Sequence, residues 1–193
     1  MASQFRTRNY RPYGLVHITS RELARQSVFM DDSDRATFIS HLSTSIHRMD
    51  REVRPRLLAW ALMSNHVHLM FQHGPDPTAV PRLIRSVKVR YAQHFNARHC
   101  RSGSLWETPF RGRVVRGGED LVNVITYIHL NPDSSLRHAN SSHGIYIGAA
   151  PPGIVDTSLV LKTFGGPAEY ADFFDDTSNI RAARAAAKRR INK

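Results

Sequence analysis

The order of periodic segments along the chain predicts an α+β protein, an antiparallel sheet with helices packed on one face. Three observations carry this reading. Short β-patterned runs alternate with helical runs in the order strand, helix, strand–strand hairpin, helix, strand, helix. Two of the strands, 57–63 and 66–72, are separated only by Ser64 and Asn65, a break tight enough to need an antiparallel return. No run approaches the roughly 18 uninterrupted apolar residues of a membrane span, so the apolar faces must bury against one another.

Residues 1–12 are polar and basic and read as an arm, with no apolar core of a secretory signal. Gly14–Ser20 (GLVHITS) is β-branched and reads as the first strand. Asp32 or Ser33 can cap a helix whose apolar stripe is Phe38, Ile39, Leu42 and Ile46. The charged stretch 48–56 is a loop, and Leu57–Met63 (LLAWALM) is apolar throughout, as a central strand should be. His66–Gln72 (HVHLMFQ) alternates, placing His66, His68 and Met70 on one face and Val67, Leu69 and Phe71 on the other. This predicts an aliphatic face under helices and an open face carrying histidines.

An amphipathic helix over 78–95 carries Leu83, Ile84, Val87, Tyr91 and Phe95 at helical spacing, with Arg82, Arg85 and Lys88 along another side. Residues 96–109 read as a polar loop and Phe110–Val115 (FRGRVV) as a basic strand. Glu119 and Asp120 open a last helix at its favourable N-terminus. Leu121, Val122, Ile125 and Ile128 form its apolar stripe, and Pro132 ends it. Beyond Asn140 the pattern weakens, leaving a short helix near 158–164 and an Ala/Arg-rich end from Ile180. No internal repeat is present. The division expected is an arm over 1–12, a catalytic domain over 13–135, an extension over 136–179 and a basic tail over 180–193.

Charge is the informative part of the composition. The net charge is +11 and the isoelectric point about 10.6, a balance that favours a polyanionic partner. Nine Arg or Lys fall between Arg82 and Arg116 against the single acid Glu107, and six more fall in 181–193 with none. Arg8, Arg11, Arg82, Arg85, Lys88, Arg111 and Arg113 are the residues expected to contact the phosphates of such a partner. A lone Cys100 excludes an intrachain disulfide and a cysteine-rich zinc site. A bacterial-type cytoplasm, in association with the nucleoid, is the compartment expected.

Two features carry chemistry. On a strand, His66 and His68 project from the same face about 7 Å apart, close enough to share one divalent ion; two plain sheet histidines would show the same spacing. In a helix, Tyr127 and Asn131 share a face that the apolar stripe does not use, although a helix ending in Asn-Pro would also look so. An asparagine supplies a neutral oxygen ligand suited to a hard cation. A neutral phenol is a weak nucleophile, and a metal at His66, His68 and Asn131 would polarise a phosphate for attack by Tyr127. Because neutral imidazoles are needed, activity should fall below about pH 6 for ordinary histidines. His129, two residues from Tyr127, points away from it and is surface or structural. No Walker-type phosphate loop is present.

At these residues the chain resembles the single-tyrosine HUH transposases, and among them the REP-associated tyrosine transposases of bacteria. WALMSNHVHLMF carries the His-hydrophobe-His signature and DLVNVITYIHLNP the tyrosine helix. YGLVHITSRELARQSVFMDDSDRATFISHL, YAQHFNARHCRSGSLWETPFRGR and SSHGIYIG match in order, covering about residues 10–176. The residues after NP in NPDSS, together with VHITSRE and FRGRVVRGG, depart from the usual pattern without touching the four chemical residues. The resemblance implies a ferredoxin-like or RRM-like sheet, Tyr127 as nucleophile, and His66, His68 and Asn131 as ligands for Mg²⁺ or Mn²⁺. It implies a strand-transferring endonuclease acting on single-stranded DNA beside a palindromic hairpin through a 5′-phosphotyrosine, working as a monomer or homodimer away from membranes. The alternatives are a non-cleaving nucleic-acid-binding module of the same descent and a metal-dependent hydrolase that uses water.

Overall fold

The computed structural model describes residues 10–21, 27–106, 109–132 and 137–176. The elements are β1 (Leu15–Arg21), α1 (Asp32–His47), β2 (Arg56–Met63), β3 (His66–Gln72), α2 (Ala79–Arg98), β4 (Arg111–Val115) and α3 (Glu119–His129). Four short helices follow: α4 (Arg137–Asn140), α5 (His143–Tyr146), α6 (Ser158–Phe164) and α7 (Pro167–Asp175). The strands form one sheet in the order β2-β3-β1-β4, every neighbouring pair antiparallel. β1 and β2 therefore run parallel with β3 between them, as β3 and β4 do across β1. Each such pair needs a helical crossover, α1 for one and α2 for the other, and crossovers of one hand put both helices on one face.

That face is dry. Val16 and Ile18 of β1 and Val67, Leu69 and Phe71 of β3 are buried with Phe38, Leu42 and Ile46 of α1 and Leu83, Ile84, Val87, Tyr91 and Phe95 of α2. Tyr91 can be buried because its hydroxyl donates to the Val28 carbonyl at 2.5 Å. The cap of α1 is Asp31, one residue before the expected pair, with its carboxylate accepting from the Asp34 amide at 3.0 Å. The β2–β3 return is the two-residue Ser64-Asn65 turn, with Met63 opposite His66. After β3 the chain passes so close to the α1–β2 loop that a Cβ at Gly74 would lie 2.6 Å from the Val53 carbonyl oxygen.

The α+β layering thus stands as the sequence predicts, with α1 and α2 on one face. The histidine face, however, is not open across its width, because α3 crosses it. Residues 137–176 then pack on the outer side of α3 and along the β2 edge. The Ser142 amide donates to the Trp60 carbonyl at 3.0 Å, the Asp156 amide to Leu57 at 2.8 Å and the Tyr146 hydroxyl to Leu58 at 2.5 Å. These bonds satisfy an edge that would otherwise offer unpaired backbone groups. The apolar stripe of α3 predicts burial on one side, yet Asn123, Thr126 and His129 are buried as well. A helix held between a sheet and an outer layer has almost no solvent face.

Candidate active site on the histidine face

Strand register builds this site. His68 sits between Thr19 of β1 and Ala61 of β2, and His66 between Arg21 and Met63. His17, two residues before Thr19, lies opposite Met70 and Arg113. Period-two alternation therefore gathers His17, Thr19, Arg21, His66, His68, Arg111 and Arg113 on one face. The small Ala61 and Thr19 leave room above His68, and the Tyr127 ring occupies it edge-on, with centroids 5.2 Å apart. Tyr127 and Asn131 share a helix face as expected: Asn131 Nδ2 lies 3.2 Å from His68 Nε2, and the same side chain reaches His66. The four residues singled out from the sequence are thus adjacent.

Each imidazole is engaged on its far nitrogen. His66 Nδ1 donates to Asn65 Oδ1 at 2.7 Å, and His68 Nδ1 lies 3.0 Å from His17 Nε2. This suits metal binding, where a ligating histidine ordinarily holds its second nitrogen in a hydrogen bond. Among the described residues no three His, Cys, Asp or Glu side chains are grouped to hold an ion. The donor set that fits is two imidazoles and the Asn131 amide, a mixed nitrogen and oxygen set that suits Mn²⁺ and accepts Mg²⁺.

Burial sets the protonation of the rings. It lowers His17 to about 3, helped by the Arg113 charge and opposed by Asp120. His66 falls to about 4 by burial and the Arg21 charge, against the bond from Asn131. His68, only 3% exposed, is held well below the ordinary value by burial and then by His17, His66 and Arg21. All three are neutral at physiological pH. The expectation of lost activity below about pH 6 assumes free imidazoles; burial holds these three rings neutral further into acid.

The cations separate into two groups. Arg111 is exposed on the histidine face, and Arg113 on that face is tied to Asp120 at 3.2 Å. Arg82, Arg85 and Lys88 lie on α2, in the layer across the sheet, so the fold does not bring them to the histidines. Arg82 is paired with Asp76 at 2.6 Å and bonded to Thr78. Arg85 is exposed. Lys88 lies over the Trp106 ring at 5.3 Å, and burial lowers it to about 8. Arg11 is exposed beside β1, and Arg8 and the basic tail lie outside the described residues.

Sequence reasoning missed His17, Thr19, Arg21 and Asn65. The alternation of VHITSR already puts the first three on one face of β1; what it lacks is the register that slides them against β3. His129, read as surface or structural, is wholly buried and bonded on both nitrogens, to the Ser142 hydroxyl and the Tyr170 hydroxyl, each at 2.8 Å.

The whole arrangement, from the start of β1 to Asn131, coincides with a span recognised independently. The model of the family described as IS200-like transposases matches residues 14–131. A search of curated protein sequences found no match. Among solved structures, a REP-associated tyrosine transposase bound to a REP hairpin superposes with a TM-score of 0.60 at 16% identity, covering 82% of this chain and 96% of that one. At that identity the likeness is one of fold. Among the described residues no helix is long and apolar enough to cross a membrane. With sheet, paired histidines and tyrosine helix all inside a match that spans more than half its length, the chain belongs to the IS200-like transposase family.

Proposed function

We propose that this protein cleaves and rejoins single-stranded DNA through Tyr127, assisted by a divalent metal at His66, His68 and Asn131. The observation that carries the reading is the meeting, over one histidine of β3, of its strand neighbour and two groups from the end of α3, a segment about 60 residues away. The Tyr127 ring stands against His68, Asn131 bonds its Nε2, and His66 lies beside it with ring centroids 4.9 Å apart. Nothing in the packing of a purely structural helix requires a phenol, an amide and two imidazoles to converge at a partly exposed point.

The phenol oxygen attacks the scissile phosphorus, and the bond to the 3′ oxygen breaks. The 5′-phosphate stays on Tyr127 and the 3′ oxygen leaves as a hydroxyl, so the phosphodiester energy is conserved. An incoming 3′-hydroxyl reverses the step without a nucleotide cofactor. Bound Mg²⁺ or Mn²⁺ supplies Lewis-acid polarisation of the phosphate. Within the chain, Asn65 orients His66, and Arg21, opposite His66, adds positive charge where the phosphate must lie. Arg111, opposite Thr19, extends that charge on to β4, Arg113, paired with Asp120, flanks His17 on the same face, and Arg11 adds charge beyond the other end of β1. Arg82, Arg85 and Lys88 form a second basic track on α2 for DNA leaving the site, with Arg8 and the tail adding phosphate contacts. The substrate we assign is single-stranded DNA flanking a hairpin, in keeping with the hairpin in the solved structure of similar fold. The protein would act on the bacterial chromosome in the cytoplasm.

A hairpin oligonucleotide with single-stranded flanks tests this. Cleavage in the flank is expected with Mn²⁺ or Mg²⁺, and none with a chelator, with His66→Ala, or on the same sequence fully paired. An unpaired strand can lie across a sheet face, whereas a regular duplex encloses its phosphates. Undiminished cleavage in excess chelator, or equal cutting of perfect duplex, would overturn the assignment.

A further inference from the structure

We propose that His17 is a positioning residue that holds His68 in the tautomer able to bind metal, with the proton on Nδ1 and the Nε2 lone pair facing Asn131. The inference rests on the metal-site reading above and adds a residue to it. Two bonds to one ring carry it. Asn131 presents its amide nitrogen, which can only donate, 3.2 Å from His68 Nε2. A neutral imidazole that accepts at Nε2 carries its proton on Nδ1. His68 Nδ1 therefore donates, and the atom at donating distance is His17 Nε2, 3.0 Å away. His17 must then hold its own proton on Nδ1. The ring planes lie within 25° of each other with centroids 5.2 Å apart, the separation an end-to-end N–H···N bond gives, so His68 cannot turn over without breaking both bonds. Thr19 Oγ1, 3.5 Å from the same Nδ1, is too distant to replace His17 as acceptor.

His17 itself is sealed from substrate. It is 4% exposed, and its ring centroid is 6.4 Å from that of Tyr127. It acts through His68 alone. Its relation to His68 matches that of Asn65 to His66: each partner occupies the Nδ1 of one histidine and fixes the proton there. The two partners differ in origin. Asn65 is next to its histidine in the chain, whereas His17 reaches His68 only through the β1–β3 register. Where such an outer partner is lost, metal affinity commonly falls 10- to 100-fold.

Two measurements on the full chain test the proposal. ¹⁵N imidazole NMR of the metal-free wild type should show His68 protonated on Nδ1; a proton on Nε2 would overturn the assignment without involving any variant. Mn²⁺ titration followed by EPR should show a site abolished by His66→Ala, weakened roughly 10- to 100-fold by His17→Phe, and restored to within a few-fold by His17→Gln, whose amide oxygen can accept. Wild-type affinity in His17→Phe, or no recovery in His17→Gln, contradicts the positioning role. A wild type that binds no Mn²⁺ at the histidines contradicts the metal-site reading instead, and the NMR result stands apart from it.

Discussion

Two clusters of histidines flank α3, and they differ in what their nitrogens meet. On the outer side, His129 is bonded to Ser142 and to Tyr170, and the Tyr170 hydroxyl also meets His143 Nδ1 at 2.8 Å. Those bonds tie α3 to the C-terminal layer, and the Ser142 hydroxyl carries them on to the Trp60 amide of β2 at 2.9 Å. On the sheet side, His66 and His68 spend their Nδ1 atoms on Asn65 and His17, and His68 turns its Nε2 to Asn131, under a partly exposed Tyr127. The same residue type is a structural pin in one cluster and a ligand in waiting in the other. Burial alone does not separate them, since His68 and His129 are both nearly inaccessible and both held well below the ordinary imidazole value by burial. What separates them is whether the remaining nitrogen is closed by a hydroxyl or converges with others on a point that substrate can reach.

The largest effect expected from breaking this distinction is chemical. Tyr127→Phe removes one hydroxyl from the reactive side, and strand cleavage should fall by at least ~10³-fold, as for loss of a covalent nucleophile. The melting temperature and the affinity for single-stranded oligonucleotide should stay near wild type. Substantial cleavage by this variant would move the nucleophile to another residue.

Acid should act on both clusters together. His17, His66, His68 and His129 are all depressed in the folded chain, His17 to about 3 and His66 to about 4. The unfolded chain takes up these protons below about pH 6.5 while the folded chain does not. The contribution of these buried neutral rings is therefore complete above that pH and is progressively lost as pH falls below it. Urea unfolding at pH 7.5, 6 and 5 measures this, and a flat profile would contradict the buried neutral state.

On the outer side, Tyr170→Phe deletes the hydroxyl shared by His129 and His143. It should cost about 1–3 kcal/mol, the usual penalty for a buried polar group left unsatisfied. Mn²⁺ binding at the sheet-side site should stay unchanged at temperatures where the variant is folded. A large loss of metal affinity with unaltered stability would mean that the two clusters are one coupled unit.

The sheet-side cluster was partly legible in the sequence. His66 and His68 follow from period two and Tyr127 with Asn131 from the helical turn, because each pair is local. Their meeting was not derivable from spacing, since it depends on α3 crossing the histidine face rather than joining α1 and α2. His17 stayed hidden for a related reason: its partner lies 51 residues away and is reached by register alone. The outer cluster left almost no trace, because its bonds join α3 to an extension whose apolar pattern is weak. The fold was easier to read, and its errors were local. The cap of α1 shifted by one residue, and α3 is buried on more sides than one stripe of Leu121, Val122, Ile125 and Ile128 can announce.

The smallest effect expected distinguishes the two basic groups. Arg111→Ala removes an exposed cation beside the histidines, and Arg85→Ala one on α2. Each lost phosphate contact should flatten the log-affinity versus log-salt slope by about 0.7 on single-stranded DNA. If only the histidine face carries the cleaved strand, a short flank oligonucleotide will register Arg111→Ala and not Arg85→Ala, while a hairpin substrate will register both. Equal effects on the short oligonucleotide would merge the two tracks.

The central claim is that one face of this sheet assembles a tyrosine nucleophile over a metal-ready histidine pair. Its most direct test is to trap the reaction of the full chain with a hairpin-flanking oligonucleotide and Mn²⁺, digest the protein, and locate the DNA-bearing residue by mass spectrometry. The account predicts a 5′-phosphate linked to Tyr127, absent in excess chelator. Cleaved DNA with no protein adduct, or an adduct on a tyrosine such as Tyr10, Tyr13 or Tyr91, would contradict it.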